Sequence, residues 1–490
     1  MTTMTITGIL GYALATLLPL LLLLNAYCRS RAANAPSKSV AVIVLGDIGR
    51  SPRMMYHAQS LSQARYKVLL VGFAGTPVLK TLQEADNVQT IHIAQPPAWI
   101  SKLPRVLFLI VAPFKLVFGA ISLWYTLVFG LPFFPKAILV QTPPALPTLP
   151  MVQLVCKLQN SKLIIDWHNT AYSILGMRLG QSSKPTEVAK KLEGFFGRRA
   201  FAHFFVTKQM QKVLSGMWKL EGTKATFADH PQQFNGHLSP EDIHALFSRL
   251  PIGREASLRG FMEIYETTST LFTHLERNGV PDYRGTPVLT ASRPALVVSS
   301  TSWTADEDFG ILLQALELYE KAADDVSSEL PKLIVLITGK GPLKQAFEDE
   351  IAKREKKWKY VRCKTAWLES EDYPKLLQAA DLGISLHSSS SGLDFPMKIV
   401  DMFGAGLRVL ALDFACVHEG LQEGPDGRVF QTGQELAQQL QEELQNFPKA
   451  SASQNVANSI QPRGQTHTHQ TWQEAWKETV LPIIEKCCNN

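Results

Sequence analysis

The chain has 490 residues, 46% of them apolar and 19% charged, enough for more than one core and too apolar for a mainly disordered protein. Its 49 Lys and Arg against 43 Asp and Glu leave a formal charge of +6, too slight over this length for a nucleic-acid binder. Six cysteines, Cys28, Cys156, Cys363, Cys416, Cys487 and Cys488, follow no C-x-x-C or paired spacing, so neither a zinc site nor a disulfide framework is encoded.

Residues 1–28 carry no charged side chain. As a helix, Ile6–Cys28 rises about 34 Å, against a hydrocarbon core of about 30 Å. Arg29, Arg31 and Lys38 follow the apolar run rather than precede it. Positive charge stays cytoplasmic, so a single-pass signal anchor over 1–37 with a cytosolic body is expected. The absence of any N-x-S/T acceptor and the unpaired cysteines agree with that topology. A second apolar stretch, 106–134, is interrupted by Pro113, Lys115 and Gly119. An internal lysine makes a span costly. The stretch is expected to lie at the membrane interface, with Trp124 and Tyr125 at headgroup level, or as an ordinary buried helix.

Beyond the anchor, short β-branched runs alternate with helical patterns. Val40–Leu45, Lys67–Val71, Thr90–Ile93, Ala137–Val140, Lys162–Ile165 and Ala202–Val206 read as strands, with helices between them. Residues 236–293 break the alternation and are expected to be an insertion or linker. It restarts with strands at Ala295–Ser299, Lys332–Ile337, Val361–Lys364, Leu382–Leu386 and Arg408–Leu412. Continuous apolar strands alternating with helices are the mark of a doubly wound parallel sheet. The fold class is therefore α/β, with two Rossmann-like domains at 38–235 and 294–430 facing a cleft. Residues 431–490 add C-terminal helices around a polar loop at 451–470.

Ligands of such sheets bind outside the carboxyl ends of the strands. The first strand runs into Gly46-Asp-Ile-Gly-Arg-Ser-Pro-Arg53. Gly46 and Gly49 permit close backbone approach, Ser51 can cap the next helix, and Arg50 and Arg53 suit a phosphate. Asp166-Trp-His-Asn169 ends another strand and offers His168 as a base. In the second domain, Ser299–Asp308 includes Ser302 and Thr304, and Thr304 with Glu307 has capping-box spacing. Thr338-Gly339-Lys340-Gly341-Pro342 forms a glycine turn with a basic side chain. The run from His387 to Gly406 carries Ser389, Ser390, Ser391, Gly392, Lys398 and Asp401. Its serine-glycine corner is expected to open a helix that holds a diphosphate, with Lys398 as counter-charge and Asp401 accepting from a ribose diol.

These stretches, with S-S-T-S-W-T from Ser299, W-L-E-S-E-D-Y from Trp367 and S-S-S-G-L-D-F-P-M-K from Ser389, resemble the chitobiosyldiphosphodolichol β-mannosyltransferases, glycosyltransferases of the GT-B fold. The resemblance covers nearly all of 38–430. It implies transfer of mannose from GDP-mannose to GlcNAc2-diphospho-dolichol at the cytosolic face of the endoplasmic reticulum membrane, the first mannosylation of lipid-linked oligosaccharide assembly. No D-x-D motif sits at a strand end, so no metal is expected, nor is a cofactor or nucleic acid; the resemblance admits other dolichol-pathway mannosyltransferases as partners. Related glycosyltransferases often carry glutamate where this chain has Asp401.

Inversion at the sugar needs a base and stabilisation of the leaving diphosphate. Asp47 is the first choice of base and His168 the second. The corner Ser389–Gly392 and Lys398 are expected to neutralise the leaving group, with Lys340 in a weaker role. Another nucleotide sugar, or a non-catalytic glycosyltransferase-like scaffold, are the alternatives.

Overall fold

The computed structural model describes residue 19 and residues 22–97, 99–100, 108–231, 238–264, 266–276, 285–304, 307–369, 371–388, 391–445, 447 and 470–489. Most of the expected span Ile6–Cys28, the loop 451–469, and Ser389 and Ser390 lie outside them. The chain forms two units, Met1–Ala228 with Gln473–Asn490, and Asp229–Trp472.

The first unit opens with helix α1 (22–33), followed by β1 (Ser39–Asp47), α2 (Pro52–Gln63), β2 (Lys67–Phe73), α3 (Lys80–Gln83), β3 (Val88–His92) and α4 (Phe108–Tyr125). A π-helical turn, Thr126–Gly130, extends α4. Then come β4 (Ala137–Thr142), α5 (Thr148–Gln159), β5 (Lys162–Trp167), α6 (Ala171–Leu179), α7 (Lys184–Gly197), β6 (Arg199–Phe205), α8 (Lys208–Trp218) and β7 (Glu221–Thr226). The seven parallel strands lie in the order β3-β2-β1-β4-β5-β6-β7. Val40–Ile43 of β1 are wholly buried, each large apolar side chain contributing roughly 1.5–3 kcal/mol. Crossovers between parallel strands are right-handed. Since β1 to β3 step one way along the sheet and β3 to β7 the other, α2 and α3 cover one face and α4, α5, α7 and α8 the opposite one.

The second unit contains α9 (Pro240–Arg249), α10 (Ala256–Phe261), the antiparallel pair β8 (Thr273–Glu276) and β9 (Thr286–Leu289), β10 (Ala295–Ser300), α11 (Phe309–Ala323), β11 (Leu333–Thr338) and α12 (Lys344–Glu355). It continues with β12 (Val361–Ala366), α13 (Asp372–Ala379), β13 (Leu382–Ser385), α14 (Met397–Gly404), β14 (Val409–Leu412), α15 (Val417–Gly420), β15 (Gly427–Phe430) and α16 (Gly433–Leu444). Its parallel order is β12-β11-β10-β13-β14-β15. Helices α17 (Trp472–Thr479) and α18 (Leu481–Asn489) end the chain and, from Gln473 on, belong to the first unit.

Two expectations change. Residues 236–293 are no linker: Ile243, Leu246, Phe247, Leu258 and Phe272 are buried in one cluster with Leu296, Val298 and Ile399. Charges between the apolar positions of α9, an ordinary amphipathic pattern, masked this packing. Edge strand β7, Glu-Gly-Thr-Lys-Ala-Thr, is mostly exposed and shows no apolar run, which suits an unpaired edge and hides it from periodicity.

Candidate active site

In the first unit the end of β5 is built around one sealed carboxylate. Asp166 is wholly buried. Arg53 of α2, only 1% exposed, grips it in bidentate fashion, with Nε to Oδ2 at 2.9 Å and Nη2 to Oδ1 at 3.0 Å. The same guanidinium donates to the Phe227 carbonyl at 2.8 Å. His168 Nε2 lies 3.0 Å from Asp166 Oδ2, and His57 Nε2 lies 3.3 Å from it. From α17, the Trp476 indole N–H donates to His57 Nδ1 at 3.0 Å. An indole can only donate, so His57 carries its proton on Nε2, facing Asp166.

Burial lowers the pKa of His57 beyond what Asp166 restores, keeping the imidazole neutral. Burial alone would raise Asp166, but Arg53, His168 and His57 overcome it and hold the carboxyl well below the usual range. The ionised Asp166 fixes a proton on His168 Nε2 and leaves the Nδ1 lone pair available. Among the described residues nothing hydrogen-bonds to that atom. A partly exposed imidazole oriented by a buried carboxylate is the arrangement of a general base.

The loop after β1 departs from expectation. Arg53 is committed to Asp166 and is not a phosphate ligand. Asp47 accepts from the Thr76 N–H at 3.0 Å, the Thr76 hydroxyl at 2.9 Å and the Gly49 N–H at 3.1 Å. Burial pushes its carboxyl up slightly, but these donors and Arg50 outweigh it and hold it below its ordinary value. A carboxylate so engaged is a poor base, which weighs against Asp47, the first choice made from sequence, and in favour of His168. Gly49 is required because a Cβ there would meet the Thr76 carbonyl oxygen at 2.3 Å; Gly46 has no such neighbour. Ser51 does not cap α2 with its side chain; its hydroxyl donates to Gln141. Arg50 is exposed; its Nε lies 3.4 Å from Asp47 Oδ2 and 3.4 Å from the Thr76 hydroxyl, which leaves the outer N–H groups of the guanidinium to meet an anion.

In the second unit the loops after β10 and β11 are pressed together. A Cβ on Gly339, whose φ is +134°, would meet the Thr301 carbonyl oxygen at 1.8 Å, and one on Gly341 would meet that of Ser302 at 1.9 Å. These glycines therefore serve loop packing. Lys340 places its ammonium 3.7 Å from the centre of the Trp367 ring. Ser302 is exposed and Thr304 half-buried. Thr304 is not the cap of α11, which begins at Phe309 with Asp308 accepting from the Gly310 N–H at 2.9 Å. Buried Glu307 instead takes the Thr301 hydroxyl and the Lys398 ammonium, at 2.8 Å.

Lys398 keeps two further N–H donors and is 26% exposed. The helix bearing it begins at Met397 with Pro396 at its cap. The corner Ser389–Gly392 therefore lies upstream and does not form the helix N-terminus. Ser391 accepts from the Leu393 N–H at 3.2 Å, and Gly392 holds φ at +68°. Asp401 is 3.5 Å from the Tyr373 hydroxyl, which lies 3.1 Å from Ser300 Oγ; Thr338 reaches the same Oγ at 3.2 Å. Burial pushes the Asp401 carboxyl up to about 7, with Tyr373 opposing and Asp229 adding.

Comparison with known proteins was decisive. The chain is 39% identical to the chitobiosyldiphosphodolichol β-mannosyltransferase of Pongo abelii over 479 residues, 96% of this chain and 97% of that one. The Homo sapiens protein of that name matches to the same extent. The chain belongs to the chitobiosyldiphosphodolichol β-mannosyltransferase family. The Arabidopsis thaliana protein named UDP-glycosyltransferase TURAN is 36% identical over 90% of this chain and 96% of its own length. A family model described as glycosyl transferase-like matches residues 320–480.

Among solved structures, a UDP-forming trehalose-phosphate synthase from Burkholderia xenovorans aligns over 92% of this chain and 99% of its own, at TM-score 0.54 and 12% identity. A Rickettsia africae glycosyltransferase aligns over 92% and 98%, at TM-score 0.53 and 12% identity. Both support the GT-B fold.

As a member of this family the chain is a hexosyltransferase, and its strand ends hold more than the motifs announced. Glu307, Tyr373 and Ser300 were not singled out as site residues from the sequence, nor were His57 and Trp476. Glu307 left a trace as an acid within a strand-end loop, and Ser300 and Tyr373 as members of the S-S-T-S-W-T and W-L-E-S-E-D-Y runs.

Proposed function

We propose that this β-mannosyltransferase takes mannose from GDP-mannose and places it on GlcNAc2-diphospho-dolichol at the cytosolic face of the endoplasmic reticulum membrane, with His168 as the base. The observation that carries the base is the Asp166–His168 pair, buried on one side and open on the other. His168 Nδ1 removes the proton from the acceptor hydroxyl as that oxygen bonds to the sugar's anomeric carbon. The bond from that carbon to the diphosphate oxygen breaks, and its electron pair leaves with GDP. The configuration changes from α to β in one in-line displacement. Asp166 stabilises the imidazolium that forms. Lys398, oriented by Glu307, and the start of α14 meet the charge on the leaving diphosphate. Arg50 is offered to the acceptor diphosphate, and Asp401 to the ribose hydroxyls of the donor.

The same reading places α4 at the bilayer surface. Phe114, Val117, Ile121 and Tyr125 are exposed along one side of it, and the helix is long and apolar enough to cross a membrane. Trp124, expected at headgroup level, is half-buried and packs edge-on against Phe129 at 5.5 Å.

The test is a transfer assay of the purified chain with the chitobiosyl-diphosphate lipid and a panel of nucleotide sugars. GDP-mannose should be the productive donor. A UDP-sugar is the second reading, favoured by the name of the Arabidopsis relative alone. Product from a UDP-sugar but not from GDP-mannose decides for it.

A further inference from the structure

We infer that the outer face of the helical layer formed by α4, α5 and α7 is a docking surface for an anionic lipid bilayer, extending well beyond α4. The inference rests on the proposed function only for the placement of α4 at a membrane. Sheet order and right-handed crossovers put the three helices side by side on one face. Close contacts join them: Gly119 of α4 abuts Pro147 at the start of α5, and Gln153 of α5 donates to the Phe196 carbonyl of α7 at 2.5 Å.

Facing away from the sheet, α7 exposes Val188, Leu192 and Phe195, spaced i, i+4 and i+7, with Phe195 74% exposed. Leu154 of α5 is exposed between α7 and the uncovered side of α4, where Ile121 is 63% exposed. Exposed apolar side chains on each of three adjoining helices call for a cover.

Charge selects the occupant. Residues 108–219 hold 13 Lys and Arg against 3 Asp and Glu, and two of those acids, Asp166 and Glu193, are buried. Lys115, Lys157, Lys184 and Lys191 are exposed within the layer itself. Apolar side chains rimmed by lysines suit the interface of an anionic leaflet. A second copy of the chain would set the same basic rim against itself, because a two-fold interface pairs like patches.

The attachment of α1 agrees. Arg31 donates to the Leu131 carbonyl at 2.5 Å and lies 4.7 Å from the Phe134 ring centre, while Tyr27 packs on Phe129 at 5.9 Å. The root of the expected membrane anchor is thus fastened at the end of α4, on the same layer.

The full chain, on a Cys488→Ser background, would carry an environment-sensitive fluorophore at Phe195→Cys, Ile121→Cys or, as a control in the second unit, Val326→Cys. It would be reconstituted in neutral vesicles and in vesicles rich in phosphatidylserine, each with and without spin-labelled lipid. Labels at 195 and 121 should shift to the blue and lose most of their emission to the spin label, more strongly in the anionic vesicles; the control should do neither. The pair Lys184→Glu and Lys191→Glu should cut the quenching at 195 and leave the KM for GDP-mannose unchanged. Quenching at 121 but not at 195 overturns the extended surface. So does energy transfer between differently labelled copies without lipid quenching, which makes the occupant a second chain. Transfer activity on the same vesicles separates the two proposals: an active protein with an unquenched label at 195 loses only the surface, and an inactive one with a quenched label loses only the assigned reaction.

Discussion

The two doubly wound units place charge at their strand ends in opposite ways. In the first, Asp166 and Arg53 are sealed from solvent, Arg53 bound to Asp166 and the Phe227 carbonyl and Asp166 also facing two histidines; the His168 imidazole is partly exposed. In the second, Glu307 is sealed but its partner Lys398 is partly open, and Asp401 is enclosed with the Tyr373 hydroxyl, not a cation, lowering its pKa. On the proposed mechanism the first network orders the side chain that moves a proton, and the second holds groups whose partners arrive with the donor. Burial with full pairing gives rigidity, whereas partial pairing leaves charge to be completed by a ligand.

The contrast breaks most visibly at its most buried point. Arg53→Met leaves Asp166 an unpaired buried charge and should cost about 3–5 kcal/mol of stability, read by thermal or urea unfolding. A loss comparable to that of an ordinary surface substitution means that the carboxylate is not sealed. Next, His168→Gln should lower kcat by about 10²–10⁴-fold with donor KM nearly unchanged, whereas Asp47→Asn should leave turnover within a few-fold. Equal losses in the two variants would return Asp47 to consideration as the base.

Lys398→Gln should reduce kcat/KM for the nucleotide sugar by about 10- to 100-fold, the usual value of a hydrogen bond to a charged group, and should also lower the melting temperature, because buried Glu307 loses its cation. An unchanged kcat/KM removes Lys398 from the donor site. The smallest effect is a pH dependence. Asp401 must be ionised to accept from two ribose hydroxyls, and burial has raised it to about 7. GDP affinity should therefore strengthen as pH rises through 7 and weaken below it, by at most about 10-fold per pH unit. In Asp401→Asn the dependence should disappear, as titration calorimetry between pH 6 and pH 8 can show. The same raised pKa carries a stability consequence of opposite sense. The folded state holds this proton where the unfolded chain has released it, so its contribution is complete below the ordinary aspartate range and is lost as pH climbs through 7.

The sequence by itself determined which segments are strands and helices wherever apolar runs or capping residues were present, and it determined where the strand-end loops begin. β1, β5, β10 and β11 are covered on both faces, so each had to be a continuous apolar run. Polar elements escaped, as β7 and α9 show, because an edge strand and an amphipathic surface helix bury too little to impose a clear pattern. Tertiary structure alone decided which strand-end residues work together. Arg53 and Asp166 are 113 positions apart, Glu307 and Lys398 are 91 apart, and Trp476 reaches His57 across 419. Local pattern records whether a side chain faces a core. Its charged partner is set by strand order and crossover, which bring distant segments to one sheet end, and no spacing in the chain encodes that meeting.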